Sequence, residues 1–279
     1  MMSVQLLIST INEGINKIEF IIMPPVEGVS YIITHQCIKE EFNIIPEALK
    51  RNDVRLIRIY STGLSVNRNN CLMHADGDIL MILDDDVVIK PEYISKIRSF
   101  FSSEVVDIAC SKIRTNNDEP EYKSYHKKEI NLTKISQLKA VSSIEISIRN
   151  KSLKNKGIWF DERFGLGTRA KSGEELIFLN DCLAKGLKIR FFPEYTIEHP
   201  FNSSAKKVSP FSDTRLFTSG AQAYALYKNR AYLRNLIAVI RRFSEIRKSK
   251  ISIMHFLKMK NEGINYLRSL DSNISNRHR

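Results

Sequence analysis

The clearest hydrophobic pattern in the chain is an apolar run that leads into three aspartates, ILMILDDDVVI at residues 79–89. Such a run, bounded by the turn at residues 76–78, predicts a strand that is buried on both faces. Asp84, Asp85 and Asp86 then lie at its carboxyl end, where ligands bind in open α/β sheets. Three adjacent carboxylates repel one another unless a cation or hydrogen-bond donors neutralise them. The pattern therefore indicates either a divalent metal site or a solvated acidic turn.

Short apolar runs alternate with helix-period segments in the first part of the chain. The predicted strands cover residues 4–8, 29–34, 54–60 and 105–113. Three helices are predicted between these strands. The first follows Pro46, the second covers residues 64–75 with an N-cap at Ser65, and the third begins at Pro91. This alternation predicts an α/β domain of the nucleotide-binding type. Its first strand ends in polar residues, Ser9 and Thr10, that open toward a ligand.

The pattern changes after residue 114. Residues 115–128 are polar and predict a mobile loop over the sheet, and residues 141–148 alternate as a half-exposed antiparallel strand does. A helix is predicted from about Glu174 to a stop at Gly186. Its first turn carries Glu174 and Glu175, which either have a chemical role or simply complement the helix dipole. A last strand, closed by Pro193, precedes His199.

Composition places the chain among ordinary globular proteins. It has 279 residues, of which 43% are hydrophobic and 27% are charged. No apolar run reaches the length of a membrane span and no secretory signal opens the chain, so we expect a cytoplasmic protein. The four cysteines are widely spaced in apolar surroundings, which predicts reduced, buried thiols.

Charge divides the chain in two. Residues 201–279 contain 16 Lys plus Arg and 4 Asp plus Glu, so the tail accounts for the whole net charge of +12. We therefore predict an α/β domain over residues 1–205 and a basic, amphipathic helical region over residues 206–279. Leu226, Leu233, Ile237 and Ile240 are predicted to share one helix face bordered by arginine and lysine.

Apolar faces with a basic border are typical of helices that lie in a membrane interface. The other interpretation is that these faces pack on the preceding domain and that the charge is solvated. The charge excess favours an anionic membrane surface as a partner, and it predicts peripheral attachment at the inner face of the cell membrane.

Residues 3–200 contain a set of motifs whose types and order resemble those of glycosyltransferase family 2. The motifs are the polar-ended first strand, GLSVNRNNCLMHADGDILMILDDD, GIWFDERFGLG, GEELIFLNDCLAKGLKIRFFP and the late histidine. The resemblance implies the GT-A fold, a Rossmann-like mixed sheet flanked by helices, here with the basic C-terminal helical extension. It also implies inverting transfer of a sugar from a nucleotide-sugar donor to a hydroxyl of a glycan or lipid-linked acceptor. Family members of this kind often build surface polysaccharides.

The resemblance indicates eight site residues. His35, where the sequence departs from the family, is a ninth candidate because it could hydrogen-bond a base edge, and the other interpretation is a neutral core histidine. The candidates on the donor side are Thr10, His35, Asp84, Asp85 and Arg68, the last in the donor-side loop. The implied ligands of a Mn²⁺ or Mg²⁺ ion are Asp86 and His199. The implied catalytic base is Glu175, with Glu174 as the alternative, although the family usually has an aspartate there. The second strand ends in Thr34-His35-Gln36 instead of the family's usual aspartates, which leaves the donor nucleotide open.

Two rival functions fit parts of the sequence. Asp84 to Val88 also satisfy the D-x-D-x-[TV] motif of haloacid dehalogenase phosphatases, with Asp84 as the nucleophile. That motif normally ends the first strand of its fold, whereas several strands precede it here. A non-catalytic protein that binds a membrane or nucleic acid through its tail is the second rival. The tail has no recognisable nucleic-acid module, so we expect no nucleic-acid partner.

Overall fold

The computed structural model describes residues 1–102, 105–201 and 208–277. The chain divides into two compact units, one formed by Met1–Phe160 with Phe178–Phe201 and the other by Asp161–Ile177 with Asn202–Arg279. The boundary predicted between residues 205 and 206 lies outside the described residues. Within the described ranges, no helix is both long enough and apolar enough to cross a membrane.

The first unit is built on an eight-stranded mixed sheet in the order β3-β2-β1-β4-β7-β5-β8-β6. Its strands are β1 Val4–Ile11, β2 Val29–Gln36, β3 Val54–Ile59, β4 Ile79–Leu83, β5 Ile108–Arg114, β6 Ile130–Asn131, β7 Ile146–Arg149 and β8 Ile189–Glu198. The first four strands are parallel, β7 runs antiparallel to both β4 and β5, and β8 is parallel to β5. The carboxyl ends of β1, β2, β4 and β8 therefore lie at one edge of the sheet.

Helices cover the sheet. They are α1 Leu64–His74, α2 Pro91–Phe100, α3 Ile135–Leu138, α4 Asn150–Lys156 and α5 Glu174–Ala184. The apolar positions predicted for α2 are confirmed, since Ile94, Ile97 and Phe101 are all buried. Phe100 stacks on Phe192 of β8 with ring centroids 4.2 Å apart. Large aromatic contacts of this kind contribute to stability beyond the area that they bury.

Several local predictions were wrong for identifiable reasons. The helix predicted after Pro46 is a single 3-10 turn, Glu47–Leu49. Helix α1 begins after Gly63, whose φ of 116° suits glycine, and Ser65 lies inside the helix instead of capping it. Strand β8 continues through Pro193 because its register against β5 shifts there, between Cys110 and Lys112. At such an irregularity the missing proline N–H costs no ladder hydrogen bond.

The predicted half-exposed strand at residues 141–148 is shorter and more buried than expected. Only Ile146–Arg149 form β7, and the first three of these residues are buried. The strand is antiparallel, as predicted, but it lies between β4 and β5, so neither of its edges faces solvent. Part of the apolar and polar alternation in residues 141–148 belongs to the 3-10 turn Ser143–Glu145, which precedes β7.

In its described residues, the second unit contains the first turn of α5 and four complete α-helices, α6 Asp213–Tyr227, α7 Ala231–Arg241, α8 Phe243–Lys248 and α9 Ile253–Arg277. Helices α6 and α9 meet at two glycines. A Cβ on Gly220 would lie 1.9 Å from the Lys260 carbonyl oxygen, and one on Gly263 would lie 2.0 Å from the Phe217 carbonyl oxygen. Only glycine permits this close backbone approach.

All four cysteines are buried and free, as predicted. Burial raises the pKa of the Cys71 thiol to about 11, so the thiolate form that reacts or binds metal is disfavoured. The cysteines therefore act as small apolar core residues.

Candidate active site

The shared carboxyl edge of the sheet brings together side chains that are far apart in sequence. Three consecutive aspartates follow β4, and each one has a different partner. Asp84 accepts a hydrogen bond from Arg68, Asp85 accepts one from Thr10, and Asp86 faces His199. The structure thus joins six of the nine predicted site residues in three pairs.

Arg68 is held inside the protein by several contacts. It lies on α1 instead of in the predicted loop, and only 2% of it is exposed. Its Nη2 donates to Asp84 Oδ1 at 2.8 Å and to Ser143 Oγ at 2.9 Å, and its guanidinium lies 5.7 Å from the centre of the Phe160 ring. A buried, planar cation of this kind fixes its carboxylate partner in one orientation.

Asp85 lies against the end of β1. Thr10 Oγ1 donates to Asp85 Oδ2 at 2.5 Å. Burial raises the pKa of Asp85, while the Thr10 hydrogen bond and the charge of Lys17 oppose that rise. Sequence reasoning missed Lys17, whose 3-10 segment Asn12–Phe20 follows directly on the polar end of β1.

Gly14 was also missed. A Cβ at this position would lie 2.1 Å from both Asp85 Oδ2 and Thr10 Oγ1. The backbone can approach this pair only without a side chain. A glycine just after a polar-ended first strand is the signal that could have shown it.

Asp86 and His199 form the third pair. His199 Nε2 lies 3.5 Å from Asp86 Oδ2, and His199 is 8% exposed. The hydrogen bond to His199 lowers the pKa of Asp86, and the same contact raises the pKa of His199. His199 Nδ1 lies 2.6 Å from the Pro200 carbonyl oxygen, to which it donates. This bond leaves Nε2 directed at the carboxylate.

The predicted donor residue His35 has a structural contact. It is fully buried, and its Nε2 lies 3.0 Å from the Asn12 carbonyl oxygen. Burial lowers the pKa of His35, which keeps the ring neutral as a donor to that carbonyl. Asn12 in turn accepts hydrogen bonds from the backbone N–H groups of Ile38 and Lys39. His35 therefore joins the ends of β1 and β2, and its contact with a donor nucleotide stays a prediction.

The two candidate bases begin α5, as predicted, in the second unit. Glu174 is 6% exposed, whereas Glu175 is partly exposed. Partial exposure is what a group needs if it is to meet an incoming hydroxyl. The role of either residue as a base stays a prediction.

Residues 115–128 contain no helix or strand, and buried contacts anchor them. Lys123 Nζ donates to Glu145 Oε2 at 2.7 Å, and Tyr125 OH donates to Glu145 Oε1 at 2.8 Å. Glu145 is 2% exposed, and burial raises its pKa although Lys123 opposes the rise. The loop places the Tyr122 ring edge-on to His199, with ring centroids 5.6 Å apart. Sequence reasoning missed this network because Glu145 was assigned to a strand.

Comparison with known proteins gives the family. The model described as glycosyl transferase family 2 matches residues 34–171, a range that includes Arg68, all three aspartates and Glu145. Over these residues the chain is similar to glycosyl transferase family 2. Its fold is the GT-A fold that the sequence predicted. The match favours a glycosyltransferase over the phosphatase with Asp84 as nucleophile.

Solved structures of similar fold include Staphylococcus aureus TarS. Against TarS residues 1–349, the TM-score is 0.61 at 17% identity, over 95% of this chain and 83% of the other. The TarS complex with UDP-GlcNAc gives a TM-score of 0.62 at 17% identity, over 95% of this chain and 84% of that chain. At this identity the likeness shows the fold. A search of curated protein sequences finds no match.

Proposed function

We propose that this protein is a metal-dependent, inverting glycosyltransferase. It would move a sugar from a nucleotide-sugar donor to a hydroxyl of a glycan or lipid-linked acceptor, in the synthesis of a surface polysaccharide. The family supports the reaction class, and the TarS complexes with UDP and with UDP-GlcNAc make uridine-linked sugars the first donors to test.

The observation that carries the proposal is the Asp86–His199 pair. Two ligand atoms that each lie about 2.1 Å from one ion are separated by roughly 3.0 to 3.4 Å, close to the 3.5 Å measured between Asp86 Oδ2 and His199 Nε2. The described residues contain no group of three or more His, Cys, Asp or Glu side chains that could hold a metal. A site with two protein ligands still fits Mg²⁺ or Mn²⁺, because substrate phosphates usually supply further oxygen ligands.

The other residues around the pair have separate tasks. Asp84, fixed by Arg68, presents its second oxygen to a hydroxyl of the donor ribose or sugar. The Thr10–Asp85 pair, with the Gly14 backbone against it, shapes the wall of the donor pocket. A divalent ion held by Asp86 and His199 would stabilise the negative charge that develops on the leaving diphosphate.

The transfer itself is a single displacement. The acceptor oxygen bonds to the anomeric carbon while the bond from that carbon to the diphosphate oxygen breaks, and the configuration inverts. The acceptor proton passes to a carboxylate, which we assign to Glu175 because it is the more exposed of the two glutamates at the start of α5.

A screen of nucleotide sugars by thermal shift, with and without Mn²⁺, tests the donor class, because a bound ligand raises the Tm. The active donor is then used to compare Asp86→Asn and Glu175→Gln with Asp76→Asn, the same kind of change at the amino end of β4. We expect kcat to fall on the order of 10²-fold or more in the first two variants and to stay unchanged in Asp76→Asn. Full turnover in excess EDTA would contradict the metal requirement. Full turnover by Glu175→Gln would contradict the role of Glu175 as the base.

A further inference from the structure

Helix α7 has an inner and an outer face, and the outer face carries the larger apolar side chains. On the inner face, Ala231 and Asn235 are buried, and Ala238 and Val239 pack on a small core cluster. The outer face carries four large apolar residues, Leu233, Leu236, Ile237 and Ile240, which are 59%, 53%, 37% and 78% exposed. A helix that only packed on its own unit would carry its large apolar side chains on the inner face.

The four exposed residues form one continuous stripe. They are spaced at i, i+3, i+4 and i+7, which places them on one side of a helix. Phe243, 51% exposed, follows at the start of α8. Single exposed apolar residues are ordinary, but a contiguous apolar surface marks an interaction site.

The predicted stripe differed in one residue. Leu226 was expected to continue it, but it lies on α6, which ends at Tyr227. Lys228 has a φ of 47°, and a 3-10 turn over Lys228–Arg230 separates α6 from α7. The break turns the chain, so Leu226 does not share the face of α7.

The charge along the chain segment that carries the stripe is mainly positive. Residues 214–244 contain six arginines and lysines and no aspartate or glutamate. Arg234 and Arg241 lie on α7 along one border of the stripe, and both are exposed. Arg230, also exposed, precedes the helix.

We infer that the outer face of α7 binds the surface of an anionic lipid bilayer, with the apolar stripe in the acyl boundary and the arginines at the headgroups. This is the arrangement of an interfacial amphipathic helix. Each basic residue held near an anionic surface strengthens binding roughly fivefold. A second copy of this chain is a poorer occupant, because residues 214–244 offer no acidic side chain to pair with the arginines of the other copy. The inference does not depend on the donor or the acceptor.

Co-sedimentation with vesicles tests this inference on the full chain. One set of vesicles contains phosphatidylcholine alone, and the other also contains phosphatidylglycerol. The apolar test variant is Leu236→Ser/Ile240→Ser, and its control is Ile44→Ser/Ile45→Ser, which also changes two exposed apolar residues. The charge test variant is Arg234→Glu/Arg241→Glu, and its control is Lys127→Glu/Lys128→Glu, two exposed lysines outside the tail.

We expect the wild type and both controls to sediment with phosphatidylglycerol vesicles and not with phosphatidylcholine vesicles. High salt should weaken this binding, because the Debye length falls from about 10 Å at 0.1 M to about 3 Å at 1 M. Each α7 variant should lose at least tenfold in binding while its circular dichroism spectrum and Tm match the wild type. Equal binding to both vesicle types, no binding to either, or full binding by the α7 variants would overturn the inference. A dimer that only Leu236→Ser/Ile240→Ser breaks, without vesicle binding, would overturn it in favour of self-association.

Discussion

Gly14 and Asp85 are so close that a single methyl group on the Gly14 α-carbon would lie 2.1 Å from Asp85 Oδ2. The contact joins the 3-10 segment after β1 to the aspartates after β4. The absence of one side chain therefore determines where the middle carboxylate of the candidate site lies.

Gly14→Ala should disturb both Asp85 and Thr10. Overpacking costs about 1 to 3 kcal/mol, and displacement of the carboxylate should raise the donor KM on the order of tenfold or more. Urea unfolding and steady-state kinetics measure the two effects. Gly157→Ala is the control, because no atom lies within 4 Å of a Cβ there. Its positive φ predicts a small loss of stability with unchanged kinetics, and a normal donor KM in Gly14→Ala would contradict the close contact.

The Glu145–Lys123 ion pair should matter much more than an exposed pair of the same type. Glu145→Gln leaves the Lys123 ammonium without its buried partner, and breaking a buried pair costs about 3 to 5 kcal/mol. The matched control is Glu121→Gln, which removes the partner of Lys112 at a carboxylate that is 51% exposed. Exposed pairs contribute about 0 to 1 kcal/mol. Urea unfolding compares the two variants, and equal losses would contradict the anchoring role of Glu145.

Asp271 gives the second unit a defined pH dependence. It accepts hydrogen bonds from Lys228 at 3.0 Å and from Arg163. Burial alone would raise the pKa of Asp271, but these two bonds bring it below its ordinary value. Because the folded-state pKa is depressed, its stabilisation is present above the unfolded pKa of about 3.9 and is lost as the pH falls through the folded pKa. Asp271→Asn should therefore lower the Tm at pH 7 and should differ little from the wild type near the folded pKa. An equal difference at both pH values would contradict this account.

Local patterns were sufficient to predict the parallel half of the sheet. Strands β1, β2 and β4 are mainly apolar, since they are covered on both faces. Polar residues occupy the carboxyl ends of β1 and β2 and follow β4. The position of the aspartates followed from the apolar run of β4, and the start of α5 at Glu174 followed from the helical period of its apolar residues. Strand β7 was misjudged, because its burial depends on β5, which follows β4 in the chain but not in the sheet.

The pairing of side chains within the site could not be predicted from the sequence. Tyr122 and His199 are far apart in the chain, and their contact depends on the anchor at Glu145. The predicted helix over residues 64–75 contained Arg68, and only the resemblance placed this residue in a loop. Helix periodicity does not reveal which carboxylate a helical side chain contacts. The resemblance to the family supplied roles for single residues, and the geometry supplied their partners.

The central claim is that Asp86 and His199 hold the metal that binds the donor diphosphate. Isothermal titration calorimetry of Mn²⁺ into protein saturated with UDP, for the wild type, Asp86→Asn and the control Asp76→Asn, tests it most directly. We predict that Asp86→Asn binds Mn²⁺ at least about tenfold more weakly while Asp76→Asn binds like the wild type. Equal Mn²⁺ affinity in all three proteins would contradict the claim.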